Sequence, residues 1–128
     1  MKFVIGGAWQ GKKEWVLQKE GRELQFADGA ASSYEAAETS EGITDFHHYI
    51  RRLAVEGKTE EEILSFLGGI LEKNPEVIII MDEIGQGVTP IDGFERHYRE
   101  LSGRAGQFLA KRAKEVYRIT AGIGQRIK

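Results

Sequence analysis

Near its start the chain reads Lys2-Phe3-Val4-Ile5-Gly6-Gly7-Ala8-Trp9-Gln10-Gly11-Lys12. Residues 2–5 predict a short β-strand, and a helix is expected from Gly11 to near Gly21. The turn between them fits G-x-x-x-x-G-K, a loop whose backbone N–H groups bind phosphate and whose lysine reaches the terminal phosphates. The structural alternative is a glycine-rich turn that binds no ligand. We predict nucleotide binding by Gly6, Gly7, Ala8, Trp9, Gln10, Gly11 and Lys12, with Lys12 also catalytic.

Lys13 departs from the usual form of this loop. The position after the loop lysine normally carries a Ser or Thr hydroxyl, which ligates Mg²⁺. An ammonium group has three donors and no acceptor, so Lys13 cannot hold the metal. It either adds positive charge for phosphate, in which case it belongs to the nucleotide-binding set, or lies on the solvent face of the helix.

A second apolar run, residues 77–81, ends in two acids, Asp82 and Glu83. A continuous β-branched run is typical of a central parallel strand that is covered on both faces. An acid at the end of such a strand can hold Mg²⁺ or orient a nucleophile. We therefore predict that Asp82 and Glu83 are catalytic and that Asp82 binds the metal; the alternative is an ordinary acidic loop or cap.

Further strands and helices alternate along the rest of the chain. Strands are predicted at 23–27, 115–121 and 125–128, and a helix follows from the spacing of Phe46, Tyr49, Ile50 and Leu53. The pairs Ser32/Glu35 and Thr59/Glu62 have the spacing of capping boxes, and Thr89 with Pro90 indicates the start of the last long helix. This alternation predicts an α/β fold of three layers, P-loop NTPase-like, with a mainly parallel sheet and one domain over residues 1–128.

Composition restricts the function classes. The chain has 128 residues, 41% hydrophobic and 30% charged, with a net charge of −2 and no cysteine. It has no basic stripe for nucleic acid and no thiolate metal site. No apolar run approaches the roughly 20 residues of a membrane span, and the first residues lack a signal-peptide pattern, so we expect a cytoplasmic protein.

Several ordered motifs resemble one enzyme family. Residues 83–90, Glu-Ile-Gly-Gln-Gly-Val-Thr-Pro, are similar to its N-E-V-G-x-G-I-V-P segment. Residues 96–104 are similar to its R-x-F-R-D-x-x-G-R helix, and residues 6–12 to its G-G-A-R-S-G-K loop. Ala121-Gly122-Ile123-Gly124 resembles its C-terminal S-G-I segment. The chain thus resembles the adenosylcobinamide kinase / adenosylcobinamide-phosphate guanylyltransferase family, densely over residues 1–13 and 77–128 and thinly over 22–76.

The resemblance implies a role in cobalamin salvage. Family members phosphorylate adenosylcobinamide with ATP or GTP and then transfer GMP through a guanylylated histidine. By resemblance, Gly85, Gly87 and Pro90 would line the nucleotide and acceptor side of the site. It also implies nucleotide and corrinoid ligands, Mg²⁺ with the nucleotide, and a homo-oligomer that is a trimer in the family.

The middle of the chain departs from the family. The family's histidine lies between the second strand and an E-x-[IL]-T segment similar to residues 41–44, and here that interval contains no histidine. His47 and His48 come later, off the apolar stripe of their helix, and are expected on its solvated face. We transfer the nucleophile's role to neither, so guanylyl transfer is not carried over. His97 is expected to be partly buried by packing.

Three functions remain open from the sequence. The first is a nucleotide-dependent kinase of adenosylcobinamide. The second is a nucleotide- or corrinoid-binding regulatory protein that has lost catalysis, favoured by Lys13 and the missing histidine segment. The third is a P-loop kinase of another small metabolite. Arg96, Arg99 and Arg104 could stabilise phosphate charge in any of the kinases, or could pair with neighbouring acids.

Overall fold

The computed structural model of the protein describes residues 1–84 and 92–128, and within them one six-stranded sheet has the order β2-β3-β4-β1-β5-β6. All neighbouring strands are parallel except β5 and β6. The elements are β1 (Lys2–Gly6), α1 (Lys12–Glu20), β2 (Phe26–Asp28), a 3₁₀ helix (Glu35–Glu38), β3 (Gly42–Thr44), α2 (Phe46–Val55), α3 (Glu60–Lys73), β4 (Ile78–Asp82), α4 (Gly93–Arg112), β5 (Glu115–Thr120) and β6 (Ile123–Arg126). The predicted α/β class with a mainly parallel sheet is confirmed.

The central strands are apolar because both of their faces are covered. Side chains alternate across a strand, so Phe3 and Ile79 enter the larger core, with α2, α3 and α4, while Val4 and Ile80 enter a smaller core beside α1. Residues 77–81 are all buried, as their β-branched run predicted. Helices therefore lie on both faces of the sheet, which gives the three layers.

Helix ends follow their local sequence in several places. Gly11 and Gly21, both with positive φ, flank α1 as its caps. Thr59 and Glu62 form the predicted capping box at the start of α3, since each side chain accepts a hydrogen bond from the other residue's backbone N–H. The apolar stripe of α2 is buried at Phe46, Tyr49, Ile50 and Leu53, as predicted.

Several predicted boundaries are wrong. The second strand is Phe26–Asp28 rather than 23–27, and the final strand is Ile123–Arg126 rather than 125–128. Ser32 caps no helix, because its hydroxyl accepts the Asp28 N–H and closes the turn after β2, and the helix that follows is a 3₁₀ helix. The last long helix begins at Gly93, since Asp92 is extended and its carboxylate accepts the N–H of Glu95; Thr89 and Pro90, predicted as its start, lie outside the described residues.

The carboxyl ends of the parallel strands lie along one edge of the sheet. Gly6 at the end of β1 is the register partner of Asp82 at the end of β4. Asp28 and Thr44, at the ends of β2 and β3, are register partners as well. Ligands of open α/β sheets bind at this edge. Among residues 1–84 and 92–128, no helix combines the length and apolar character that a membrane crossing requires.

Candidate functional site

The phosphate-loop motif forms a tight turn between β1 and α1. A Cβ at Gly6 would lie 2.5 Å from the carbonyl oxygen of Ile119 on β5, a contact that backbone atoms cannot relieve. Gly11 has a φ of +83°, in the left-handed region that favours glycine. Both motif glycines therefore occupy positions where a side chain would cause a clash or strain.

Lys12 folds back onto the loop and onto β4. Its ammonium lies 2.7 Å from Oδ1 of Asp82 and donates to the carbonyl oxygen of Gly7 at 2.8 Å. Only 8% of Lys12 is exposed, so the charge is largely removed from water. A buried charge is tolerated when it is paired and hydrogen-bonded. Asp82 is the carboxylate that pairs with this lysine.

His47 is buried beside Asp82, so its predicted position on a solvated helix face is wrong. The Asp82 backbone N–H donates to Nδ1 of His47 at 3.2 Å, and Nε2 lies 3.6 Å from Oδ2 of Asp82. Burial lowers the pKa of His47, and the Asp82 carboxylate opposes that shift. A neutral ring whose Nδ1 accepts a hydrogen bond carries its hydrogen on Nε2. The Tyr98 hydroxyl donates to the His47 carbonyl at 3.2 Å, which ties α2 to α4 at this point.

Glu83 follows Asp82 at the end of β4, and its side chain contacts β5. Its backbone N–H donates to the Gly6 carbonyl at 2.8 Å, which extends the pairing of β4 with β1 by one residue. Its carboxylate accepts from Arg118 at 2.7 Å. Glu83 is thus fixed between the phosphate loop and β5, with 15% of its side chain exposed.

Gln10 attaches the phosphate loop to the turn between β5 and β6. Its side-chain oxygen accepts from the Ala121 N–H at 2.6 Å, and its carbonyl oxygen accepts from the Gly122 N–H at 2.8 Å. Ala121 and Gly122 both have positive φ, as in the tight turns that join antiparallel strands. The loop is therefore held by a hairpin formed from the far end of the chain.

These elements border an open cleft of about 570 Å³. Its lining includes the loop residues Ala8, Trp9, Gln10, Gly11, Lys12 and Lys13, together with Asp28, Thr44, Asp45, His47, His48 and Asp82. The Trp9 side chain is fully exposed at the loop tip. Lys13 is exposed and its ammonium lies 5.0 Å above the ring of Phe26, which leaves its charge near the mouth of the cleft.

The structure brings together most of the predicted site residues and adds two. Gly6, Gly7, Lys12, Asp82 and Glu83 meet at the carboxyl ends of β1 and β4. Gly85, Gly87 and Pro90, predicted from the resemblance, lie outside the described residues.

The two added residues are Asp45 and His47, whose possible ligand atoms lie, with those of Asp82, within 4.8 Å of one another. The sequence contains one signal for them: both are polar residues at the junction of β3 and the first turn of α2. This junction lies at the edge where parallel strands end.

Two further predictions concern α4. Arg104 pairs with Glu60 of α3 at 2.6 Å, which corresponds to the structural alternative for that arginine. His97 is exposed, so the prediction that packing partly buries it is wrong.

Known proteins resemble this chain over its central and C-terminal parts. The sequence profile of the family described as "Cobinamide kinase / cobinamide phosphate guanyltransferase" matches residues 41–127, more than half of the chain. The "Bifunctional adenosylcobalamin biosynthesis protein CobU" of Escherichia coli (strain K12) is 35% identical over 75 residues, which are 59% of this chain and 41% of that protein. The protein of the same description from Salmonella typhimurium (strain LT2) is 33% identical over 75 residues, with the same shares covered.

The chain thus spans less than half the length of the curated relatives that it matches. The family match begins at residue 41, so the phosphate loop lies outside it, whereas Asp45, His47, Asp82 and the β5–β6 turn lie inside. The sheet, the strand-end acids and this match agree with the resemblance found from the motifs. The chain belongs to the cobinamide kinase / cobinamide phosphate guanyltransferase family.

Proposed function

We propose that this chain is a nucleotide-dependent kinase of adenosylcobinamide, with residues 1–128 acting as one nucleotide-binding domain. The observation that carries the proposal is the Lys12–Asp82 ion pair at 2.7 Å, inside a G-x-x-x-x-G-K loop at the carboxyl edge of the sheet. Family membership supplies the acceptor class, since the relatives are named for adenosylcobalamin biosynthesis. The nucleotide is ATP or GTP.

Phosphoryl transfer asks the protein mainly for positioning and charge neutralisation. In the proposed reaction the acceptor hydroxyl oxygen forms a bond to the terminal phosphorus while the bond to the nucleoside diphosphate breaks. Lys12 leaves Asp82 and neutralises the phosphates, and the loop N–H groups bind their oxygens. Glu83, held by Arg118, orients the acceptor hydroxyl and takes up its proton. Gly85, Gly87 and Pro90 remain proposed contacts of the nucleotide and acceptor.

Mg²⁺ is implied by the family, and the donors in the cleft fit it. Hard carboxylate oxygens are the ligands that Mg²⁺ prefers, usually one or two of them together with phosphate oxygens and water. Asp82 is the residue that would hold the ion, because Lys13 provides no acceptor. When bound, the ion would neutralise charge on the phosphates.

A second function is favoured by Lys13 and by the missing histidine segment between β2 and β3. A protein that kept the nucleotide site but lost turnover would act as a nucleotide- or corrinoid-binding regulator. We do not propose guanylyl transfer, because the interval between β2 and β3 contains no histidine. By resemblance we also propose a homo-oligomer, a trimer as in the family, which sedimentation would test.

The test is incubation of the purified protein with adenosylcobinamide and either ATP or GTP, in Mg²⁺, followed by mass spectrometry. The proposal predicts an acceptor heavier by one phosphoryl group and an equal amount of nucleoside diphosphate. Lys12→Met should remove both products, while Lys111→Met, an exposed lysine in the last turn of α4, should not. Nucleotide binding without either product would contradict the kinase and favour the regulatory function.

A further inference from the structure

Two carboxylates face each other across the ends of β3 and β4, and we call Asp45 and Asp82 the carboxylate pair. Asp45 follows β3 and precedes α2, while Asp82 ends β4, the neighbouring strand. Their oxygens and a ring nitrogen of His47 lie within 4.8 Å of one another. Both carboxylates line the cleft that also contains the phosphate loop. Small rotations would bring both against one ion.

His47 serves this pair as an orienting group and not as a metal ligand. A histidine that binds a metal directs a lone pair at the ion and donates its other N–H to an acceptor. Here the Nδ1 lone pair already accepts the Asp82 N–H at 3.2 Å, and Nε2, which carries the hydrogen of the neutral ring, lies 3.6 Å from Oδ2 of Asp82. The donors left for a cation are carboxylate oxygens, which select Mg²⁺ or Mn²⁺ over softer ions.

Lys12 acts as a stand-in cation in this arrangement. Its ammonium lies 2.7 Å from Oδ1 of Asp82, where a divalent ion would be repelled by it. Phosphate oxygens of a bound nucleotide compete for Lys12 and draw it away from Asp82. Asp82 then needs a new positive partner, because an unpaired, mostly buried carboxylate is costly. The arrangement therefore favours binding of the cation together with the nucleotide.

We propose that Asp45 and Asp82 together hold the divalent cation that accompanies the nucleotide, with Asp45 replacing the loop hydroxyl that Lys13 lacks. The inference rests on the nucleotide binding proposed above. Asp45, just before α2, would bind the cation only because α2 packs against the end of β4. Lys12 and the cation would then be alternative partners of Asp82.

The test compares nucleotide affinity in Mn²⁺ with that in EDTA, by calorimetry with a non-hydrolysable ATP or GTP analogue. For the wild-type protein we expect Mn²⁺ to tighten binding. In Asp45→Asn the increase in nucleotide affinity caused by Mn²⁺ should be about tenfold smaller, because loss of a residue that supports a metal site weakens metal binding by about that factor. The nucleotide affinity in EDTA should stay the same. Asparagine tolerates left-handed backbone as aspartate does, and Asp45 has a φ of +49°.

Glu14→Gln is the matched control, because Glu14 lines the same cleft but is outside the carboxylate pair. It should keep the full gain from Mn²⁺. An unchanged gain in Asp45→Asn would overturn the inference while leaving nucleotide binding intact. Failure of the wild-type protein to bind nucleotide under either condition would overturn the proposed function and this inference with it.

A second variant tests, in the absence of nucleotide, whether Lys12 and the cation compete for Asp82. Lys12→Met removes the ammonium from Asp82, so direct Mn²⁺ binding, followed by electron paramagnetic resonance, should become tighter than in the wild-type protein. Equal affinity would contradict the stand-in role. Tight Zn²⁺ binding by the wild-type protein that is lost in His47→Asn would also overturn the assignment, because it would make the imidazole a ligand.

Discussion

The backbone N–H of Asp82 donates to Nδ1 of His47 over 3.2 Å, which joins the end of β4 to the first turn of α2. This bond requires a neutral ring, because a protonated Nδ1 would direct its own hydrogen at the amide hydrogen. Nε2 of the same ring lies 3.6 Å from Oδ2 of Asp82, and the ring centroid of His48 is 4.3 Å from that of His47. The strand-end acid is therefore fixed by a histidine from outside the sheet.

A pH dependence of stability follows from this bond. Burial lowers the pKa of His47, assisted by His48 and Lys12 and opposed by Asp82 and Asp45. Below about pH 6.5 the unfolded chain binds a proton at this residue before the folded chain does, so the free energy of unfolding falls with decreasing pH. In His47→Asn, whose amide oxygen can still accept the Asp82 N–H, urea unfolding should show a smaller loss between about pH 7.5 and about pH 5.5.

The control for this experiment is His97→Asn, which changes an exposed histidine of α4. Its unfolding free energy should follow the wild-type pH dependence. If His47→Asn also followed that dependence, His47 could not be the neutral acceptor that the structure describes.

Substitution by alanine should change the free energy of unfolding in opposite directions at two glycines, one in the contact of β6 with α1 and one on α4. A Cβ at Gly124 would lie 2.3 Å from the ring of Trp15, whereas a Cβ at Gly103 would meet nothing within 4 Å. Gly124→Ala should therefore destabilise the protein by about 1–3 kcal/mol, as overpacked sites do. Gly103→Ala, in the exposed interior of α4, should stabilise it by about 0.5–1 kcal/mol. Urea unfolding measures both, and equal effects would mean that β6 does not pack on Trp15.

The attachment of the phosphate loop to the β5–β6 turn can be tested at Gln10. Gln10→Ala removes the bond to the Ala121 N–H, at 2.6 Å, and should lower the free energy of unfolding by about 1 kcal/mol. Gln18→Ala, at an exposed position of α1, should leave it nearly unchanged. Equal values for the two variants in urea unfolding would show that the side chain of Gln10 contributes nothing to this attachment.

Much of the fold could be predicted because local sequence and tertiary packing agree. The run at 77–81 is buried on both faces, and Thr59 with Glu62 caps α3 in the predicted geometry. The failures come from competition among polar groups. The Ser32 hydroxyl could cap a helix or accept a hydrogen bond in the turn after β2. In the structure it accepts the Asp28 N–H in that turn. Asp92 caps α4 by the same kind of bond that was assigned to Thr89.

The site could be predicted in part because a parallel sheet brings its strand ends to one edge. That rule places the loop after β1 and Asp82 after β4 at the same edge. The same rule could not predict that His47 belongs to the site. The helical spacing indicated only that His47 lies off the apolar stripe of α2, and it gave no sign that this residue packs against the end of β4. Its burial depends on how the first turn of α2 packs against that strand and Tyr98, which no local pattern specifies.

Nucleotide affinity measured by calorimetry, with ATP and with GTP, tests the central claim most directly. The account predicts binding by the wild-type protein and a loss of about tenfold or more in Lys12→Met, because a hydrogen bond to a charged group contributes about 1.5–3 kcal/mol. Lys111→Met should bind as the wild-type protein does. Equal binding by Lys12→Met and the wild-type protein, or no binding by either, would contradict the account and leave the glycine-rich loop as a turn between β1 and α1.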